Sequence, residues 1–233
     1  MSSPTEHAPG LVIQRFTPPL KFSHFKVIAF DMDSTLINIE CIDEIADAVG
    51  KKAEVAAITE AAMRGEITDF KDSLTRRVAL LKGVPAEALQ AVYDQRLKVN
   101  PGAPELINAA KAAGLQTLLV SGGFTFFADR VKARLGMHEA HSNLLEIEGG
   151  LLTGRVLGDI VDGEAKKQHL LALCTRLQCD PSLAIAVGDG ANDLPMMGAS
   201  GLSVAYHAKP KVREQAMVAI NTGGLDRVLE VLR

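Results

Sequence analysis

The stretch "VIAFDMDSTLINIE", residues 27–40, places an apolar run directly before two aspartates, Asp31 and Asp33. The run lacks the polar alternation of a half-exposed strand, so it predicts a parallel strand that is covered on both faces. Two carboxylates at the end of such a strand repel each other unless a cation neutralises them. The stretch therefore predicts a buried first strand with a charged site at its carboxyl end.

Three further runs have the same apolar character: "LQTLLVS" at 115–121, "LAIAVGD" at 183–189 and "GLSVAY" at 201–206. Helical patterns such as "PELINAAKAAG" and "FFADRVKARLG" lie between them, and each ends at a glycine. This alternation of strand and helix predicts an α/β fold with a doubly wound, Rossmannoid parallel sheet.

The alternation is interrupted between residues 39 and 98. Only helical stretches occur there: "CIDEIADAVG", "KAEVAAITEAAMRG", "DFKDSLTRRVALLKG" and "PAEALQAVYDQRLK", separated by Gly50, Gly65, Gly83 and Pro85. Their apolar spacing is typical of antiparallel helices joined by short turns. We therefore predict an α/β core over 26–38 and 99–233, a helical-bundle cap over 39–98, and an N-terminal extension over 1–25.

A hairpin is predicted within "SNLLEIEGGLLTGRVLG", residues 142–158, where apolar and polar residues alternate around two glycines. The hairpin is expected on one edge of the sheet.

The composition favours a small-molecule function. The 25 basic and 28 acidic residues are interspersed, which argues against a nucleic-acid partner. No apolar run approaches the ~18 residues of a membrane span, and the N-terminus lacks the order of a signal peptide. Three cysteines without zinc-like spacing indicate reduced thiols, so we expect a cytoplasmic protein without a membrane partner. The oligomeric state is not indicated.

Polar residues follow three of the predicted strands. Asp31 and Asp33 end the first, Ser121 ends the second, and Asp189 with Asp193 follows the third. Because ligands bind beyond the carboxyl ends of parallel strands, these side chains are expected to meet in one crevice. A cluster of oxygen ligands suits Mg²⁺, which also accepts water and substrate phosphate. The sequence therefore predicts a site for magnesium and phosphate.

Four motifs in this order resemble those of the haloacid dehalogenase (HAD) superfamily of phosphohydrolases: "DMDSTL", "VSGGF", Lys166 and "VGDGANDLPM". With "ECIDEIA" and "SLTRRVALLKG", they are similar to the phosphoserine phosphatases of that superfamily, from residue 26 to the C-terminus. The resemblance implies Mg²⁺-dependent hydrolysis of O-phospho-L-serine through an aspartyl-phosphate, the last step of serine biosynthesis.

The resemblance also implies roles for the strand-end residues. Asp31 would be the nucleophile, and Asp33 would protonate the leaving oxygen and then activate water. The backbone carbonyl of Asp33 would bind the metal together with Asp31 and Asp189. Ser121 and the amide of Gly122 would hold phosphoryl oxygens.

By the same resemblance, Lys166 would balance charge on the phosphoryl group. Asn192 would contact the phosphate, and Asp193 would orient Lys166 and metal-bound water. Glu40 and Arg77 match positions that bind the ammonium and the carboxylate of the amino acid.

Met63 and Phe70 would close over the ligand and exclude water. Arg76 is adjacent to Arg77, and the face of the helix on which each arginine lies decides which of them could bind the ligand.

Two alternatives remain open. A related enzyme could act on another phosphomonoester or pass the phosphoryl group to an alcohol such as homoserine, because the same aspartyl-phosphate can react with either acceptor. A non-catalytic protein could instead use phosphorylation or ligand capture at Asp31 to change cap closure. The retained acidic positions favour catalysis.

Overall fold

The computed structural model describes residues 4–63 and 67–233. Within these ranges the strands are β1 (Thr5–Ala8), β2 (Leu11–Ile13), β3 (Val27–Phe30), β4 (Gln116–Phe124), β5 (Glu139–Glu148), β6 (Leu151–Leu157), β7 (Ala184–Gly188), β8 (Leu202–Tyr206) and β9 (Val218–Ile220). The α-helices are α1 (Cys41–Ala48), α2 (Lys52–Met63), α3 (Phe70–Ala79), α4 (Glu87–Gln95), α5 (Ala103–Ala112), α6 (Thr125–Leu135), α7 (Gly163–Arg176), α8 (Leu194–Ala199) and α9 (Pro210–Gln215).

The strands form one sheet in the order β1-β2-β9-β8-β7-β3-β4-β5-β6. The strands from β9 to β5 are parallel to their neighbours, whereas the pairs at both edges are antiparallel. The order reverses around β3, which lies between β4 and β7. The predicted doubly wound parallel sheet is confirmed.

The apolar run of β3 is explained by packing on both faces of the sheet. Ile28 and Phe30 join a cluster that includes residues of α5 and α6, whereas Val27 and Ala29 join a cluster with residues of α7, α8 and α9. Every residue of β3 is buried. A strand in this position needs apolar side chains at consecutive positions, as the sequence shows.

Residues 5–8 and 11–13, near the N-terminus, are part of the sheet. Strand β2 pairs antiparallel with β9, and β1 pairs with β2. Leu11 and Ile13 are buried, and the Gln14 side chain donates a hydrogen bond to the Glu214 carbonyl at 2.9 Å. The segment predicted as an extension over 1–25 therefore contributes two strands that the sequence analysis did not predict.

The four predicted helical stretches correspond to α1, α2, α3 and α4. The chain enters and leaves this region side by side, because Ile37 and Val99 form an isolated antiparallel bridge. Gly65, the predicted stop of the second stretch, lies outside the described residues. The helices are confirmed, and the division into core and cap stays a prediction.

The predicted hairpin is formed by β5 and β6, with Gly149 and Gly150 in the turn at φ of 57° and 79°. Such positive φ values favour glycine. The first half of β5 also pairs parallel with β4, so the hairpin continues the sheet at its edge.

The helices of the described part of the chain are short. The longest, α7, has 14 residues, and none combines the length and the apolar character that a membrane span requires.

Candidate active site

The predicted strand-end residues meet in one cavity of about 320 Å³. The sheet side supplies residues at the carboxyl ends of β3, β4, β7 and β8, and the facing side comes from Glu40, α1, α2 and α3. The lining residues are Asp31, Asp33, Glu40, Ile42, Asp43, Thr59, Phe70, Leu74, Arg77, Ser121, Gly122, Gly123, Phe124, Asp189, Gly190, Asn192 and Lys209. The structure therefore places Asp31, Asp33, Ser121 and Asp189 together, as the sheet topology requires.

Asp31, Asp189 and Asp193 form an acidic cluster in which one carboxylate oxygen from each lies within 4.8 Å of the others. Oxygen donors at this spacing suit a hard cation. The two oxygens of Asp193 already accept hydrogen bonds, one from Lys166 and the other from the amides of Asp189 and Gly190. Asp31 and Asp189 are therefore the members whose carboxylates are better placed to bind an ion. The predicted ligand set, which also includes the Asp33 carbonyl, stays a prediction.

Lys166 lies behind Asp31 and is fully buried. Its Nζ donates to Asp31 Oδ1 at 2.6 Å and to Asp193 Oδ1 at 2.7 Å. Burial alone would lower the pKa of Lys166, but the two carboxylates raise it above its usual value, so the ammonium stays charged. Its neighbour Lys167 pairs with Glu164 at 3.3 Å on the helix surface.

The carboxylates of the cluster are poorly stabilised as anions. Burial, and then the charge of Asp193, raises the pKa of Asp31 well above its ordinary value despite Lys166. The same two causes raise the pKa of Asp189 to about 7. A bound cation would relieve both effects, so the electrostatics of the cluster favour metal binding.

Asp33 has different surroundings. Cys41 donates to it twice, from its backbone N–H to Oδ2 at 2.9 Å and from its thiol to Oδ1 at 3.3 Å. Burial and the charge of Glu40 raise the pKa of Asp33 to about 7. A carboxyl group with this pKa can both give and take a proton near neutral pH.

The turn after β3 places these groups. Ser34 adopts a left-handed conformation, with φ of 57°, and its hydroxyl donates to Glu40 Oε1 at 2.6 Å. The Asn100 side chain donates to the carbonyls of Thr35 and Ile37, which holds the turn from the opposite side. Strained backbone of this kind is concentrated at functional sites. Loss of hydration raises the pKa of Glu40, although its side chain is exposed at the mouth of the cavity.

The last residues of β4, from Ser121 to Phe124, line the same cavity as the aspartates. The Gly123 amide donates to Ser121 Oγ at 2.8 Å, and Asn143 donates to the Gly122 carbonyl at 2.8 Å. A Cβ at Gly122 would lie 2.8 Å from Cζ of Phe70, which lines the same cavity. A larger residue at position 122 would therefore displace the Phe70 ring where α3 approaches the strand end.

The structure distinguishes Arg77 from Arg76. Arg77 is half-buried and lines the cavity, and its Nε donates to the Ser73 carbonyl at 3.4 Å. Arg76 points away and pairs with Asp72 at 2.8 Å. Of the two, Arg77 faces the cavity, as the resemblance implies.

Three predicted site residues remain: Asn192, Asp193 and Met63. Asn192 lines the cavity and Asp193 is fully buried behind it. The Met63 side chain lies outside the described part of the structure, so its predicted contact with the ligand is not described.

Sequence reasoning missed three polar wall residues: Asp43, Thr59 and Lys209. Asp43 Oδ1 is buried and has no hydrogen-bond partner among the described residues. Asp43 lies three residues after Glu40, so the two share a helix face, and this spacing could have indicated it. Lys209 follows β8, beside the strand that carries Asp189.

Comparison with known proteins gives consistent matches. The family model for haloacid dehalogenase-like hydrolases matches residues 25–201. A phosphoserine phosphatase from Polaromonas sp. is 66% identical over 99% of both chains. Two solved structures, a substrate-bound phosphoserine phosphatase complex and a phospho-aspartyl intermediate analogue of phosphoserine phosphatase, each share 38% identity. Each has a TM-score of 0.83 and covers 90% of this chain and 99% of its own.

Proposed function

This chain belongs to the haloacid dehalogenase-like hydrolases and, among them, to the phosphoserine phosphatases, and we propose a Mg²⁺-dependent reaction at Asp31. The reaction converts O-phospho-L-serine to L-serine and phosphate through an aspartyl-phosphate. The observation that carries this proposal is the placement of Asp31, bound to Lys166, beside Asp33, which can hold a proton near neutral pH.

In the first step, a carboxylate oxygen of Asp31 attacks phosphorus while the bond from phosphorus to the serine oxygen breaks. Asp33 gives its proton to that oxygen, so serine leaves as a neutral alcohol. Oδ1 of Asp31 accepts a hydrogen bond from Lys166, which fixes the carboxylate and leaves its other oxygen for the attack.

In the second step, Asp33 is a carboxylate and takes a proton from water. The water oxygen bonds to phosphorus, and the bond to Asp31 breaks, which releases phosphate and restores both aspartates. The two donors from Cys41 hold Asp33 in one position through both steps.

Residues around the phosphoryl group stabilise its charge. The Ser121 hydroxyl, the Gly122 amide and Asn192 bind phosphoryl oxygens at the sheet edge, and Lys166 balances negative charge from behind. Asp31, Asp189 and the backbone carbonyl of Asp33 would hold Mg²⁺, which supplies charge neutralisation for the phosphoryl oxygens.

Selectivity for the amino acid comes from the helical side of the cavity. Glu40 binds the ammonium and Arg77 binds the carboxylate in a bidentate pair. Phe70 covers the ligand, and Met63 has the same role by resemblance. This wall distinguishes phosphoserine from phosphomonoesters that lack one of the two charged groups.

We also propose a place at the last step of serine biosynthesis in the cytoplasm. The free state of all three cysteines supports a reducing compartment.

The test is phosphate release from a panel of esters, with Mg²⁺ and with EDTA. The panel contains phosphoserine, phosphothreonine, phosphoethanolamine, phosphoglycolate and an aryl phosphate. We expect the highest kcat/KM on phosphoserine and no activity in EDTA. Metal-dependent activity that peaks on another ester would overturn the substrate, and turnover that is unaffected by EDTA would overturn the metal. If no ester releases phosphate, transfer of the phosphoryl group to an added alcohol such as homoserine becomes the reaction to measure.

A further inference from the structure

Lys209 is a wall residue of the cavity that the proposed reaction does not use. It follows β8, which lies next to β7 in the sheet, so its position is a fourth strand end at the same edge. Its backbone N–H donates to the Asp189 carbonyl at 3.1 Å. The residue is therefore anchored beside a proposed metal ligand.

The segment around Lys209 is held in place. The His207 amide donates to the Ile220 carbonyl at 2.9 Å, and Ala208 is buried. Pro210 begins α9 and fixes its own backbone directly after the lysine. These contacts position the Cα of Lys209, whereas its side chain is exposed.

The charge of the cavity wall is unfavourable for an anionic substrate. Phosphoserine carries a phosphate dianion and a carboxylate against one ammonium. Lys166 is buried behind the wall and hydrogen-bonded to two carboxylates. Among the residues that the structure describes, Arg77 and Lys209 are therefore the cationic side chains that line the cavity. The lining carboxylates outnumber them: Asp31, Asp33, Glu40, Asp43 and Asp189.

Lys209 lines the same cavity as two acidic residues, Glu40 and Asp189. Within the described residues, its ammonium forms no ion pair at 4.0 Å or less. Because the Lys209 side chain is exposed and lines the cavity, its ammonium can meet an incoming anion before the anion reaches Asp31.

We propose that Lys209 is a substrate-binding residue that attracts the phosphate dianion at the mouth and offsets the repulsion from Glu40 and Asp189. The inference rests on the proposed phosphatase activity and adds to it a cation contributed by the sheet side. Because the interaction is exposed to solvent, it depends on ionic strength. It contributes similarly to the ground state and the transition state, so its removal acts mainly on KM.

The experiment compares Lys209→Gln with Lys211→Gln. Both lysines are exposed, lie two residues apart and change the net charge equally when replaced. We expect Lys209→Gln to lower kcat/KM for phosphoserine about tenfold at low ionic strength, mainly through KM, and less at high salt. The inhibition constant of inorganic phosphate should rise by a similar factor. Lys209→Arg should restore most of the loss, and Lys211→Gln should stay within about twofold of the wild type.

Equal effects of the two glutamine variants, or a loss at Lys209 that does not vary with salt, would overturn the inference. If the wild type does not hydrolyse phosphoserine, the proposed function fails, and the role of Lys209 is then decided by calorimetric titration of inorganic phosphate with Mg²⁺. Weaker phosphate binding in Lys209→Gln alone supports the inference, and equal binding in both variants rejects it. Thermal unfolding of each variant verifies that the fold is intact.

Discussion

Replacement of Arg77 by alanine tests the assignment of substrate selectivity to the helical wall. Burial lowers the pKa of Arg77, and the carboxylates of Asp43, Glu40 and Asp33 oppose that effect. A guanidinium does not lose its proton under these conditions. Arg77 therefore offers a fixed positive charge, with two parallel donors, to a carboxylate in the cavity.

The expected magnitude follows from the position of Arg77. Loss of one partner of a bidentate pair costs about 2–5 kcal/mol when the pair is desolvated, and Arg77 is only half-buried. We therefore take about 3 kcal/mol, which corresponds to a fall of about 10² in kcat/KM for phosphoserine. Phosphoethanolamine keeps the phosphate and the ammonium but lacks the carboxylate, so its kcat/KM should fall by no more than about threefold.

The assay measures kcat/KM on both substrates for the wild type, Arg77→Ala and Arg76→Ala. Arg76 is the matched control because it is the next residue on α3, is exposed and pairs with Asp72 away from the cavity. Its replacement should change neither value by more than about twofold. Arg77→Lys keeps the positive charge but lacks the two parallel donors of the planar guanidinium, so it should give an intermediate loss in kcat/KM for phosphoserine.

The ratio of the two losses decides the result. If Arg77→Ala lowers kcat/KM equally on phosphoserine and phosphoethanolamine, Arg77 supports the fold or the phosphate and does not bind the carboxylate. A loss for Arg76→Ala equal to that for Arg77→Ala would refute the assignment of the helix face.

Three further predictions address the sheet side of the site. Asp31→Asn should abolish turnover while leaving the circular dichroism spectrum unchanged; appreciable turnover by the folded variant would refute the nucleophile. Lys166→Met should destabilise the metal-free protein by about 3–5 kcal/mol in urea unfolding, because it leaves two buried carboxylates without their cation. Lys167→Met, at a partly exposed ion pair, should cost at most about 1 kcal/mol, and equal costs would contradict the placement of Lys166. The pKa of Asp189 is about 7 in the folded state, against a reference value of 3.8. As pH rises, the unfolded state therefore loses this proton at a lower pH than the folded state does. The metal-free protein should therefore lose stability as pH rises from about 4 to about 7, and Mg²⁺ should raise Tm more at pH 7.5 than at pH 5.5. A gain in Tm that does not change with pH would contradict this.

The central strands could be predicted because their residues are buried on both faces. β3 has apolar side chains at every position, and this run is visible without knowledge of its neighbours. β2 and β9 have three residues each, too few for a periodic signal. They are strands because residues more than 200 positions apart in the chain pair with each other. Such long-range pairing is not encoded in local patterns.

The site residues at the ends of the predicted strands could be predicted from the sequence. Asp31 and Asp189 follow β3 and β7, and Ser121 lies near the end of β4. These strands are neighbours in the sheet, so the topology brings the three residues together. Lys209 could not be identified in the same way. It lies three residues beyond β8, and only the order of strands in the sheet shows that it is near Asp189.

The raised pKa of Asp33 could not be predicted from the sequence either. The pKa of Asp33 depends on burial and on donors from Cys41, and both require the placement of α1 against the end of β3. The choice of Arg77 over Arg76 depends on the face of α3 that carries Ser73 and Leu74 towards the interior. Arg77 is three and four residues from these buried positions and shares their face.

The turn after β3 joins the reacting groups to the selectivity groups. Ser34 is held in a left-handed conformation and donates to Glu40, and the next residue, Cys41, donates its N–H to Asp33. Because α1 begins at Cys41, any displacement of this helix moves the binding carboxylate and the donor of the acid–base group together. In the proposed reaction, binding of the substrate ammonium at Glu40 therefore stabilises the same turn that orients Asp33. The short spacing in "DMDSTLINIE" would then couple recognition of the substrate to the geometry of proton transfer.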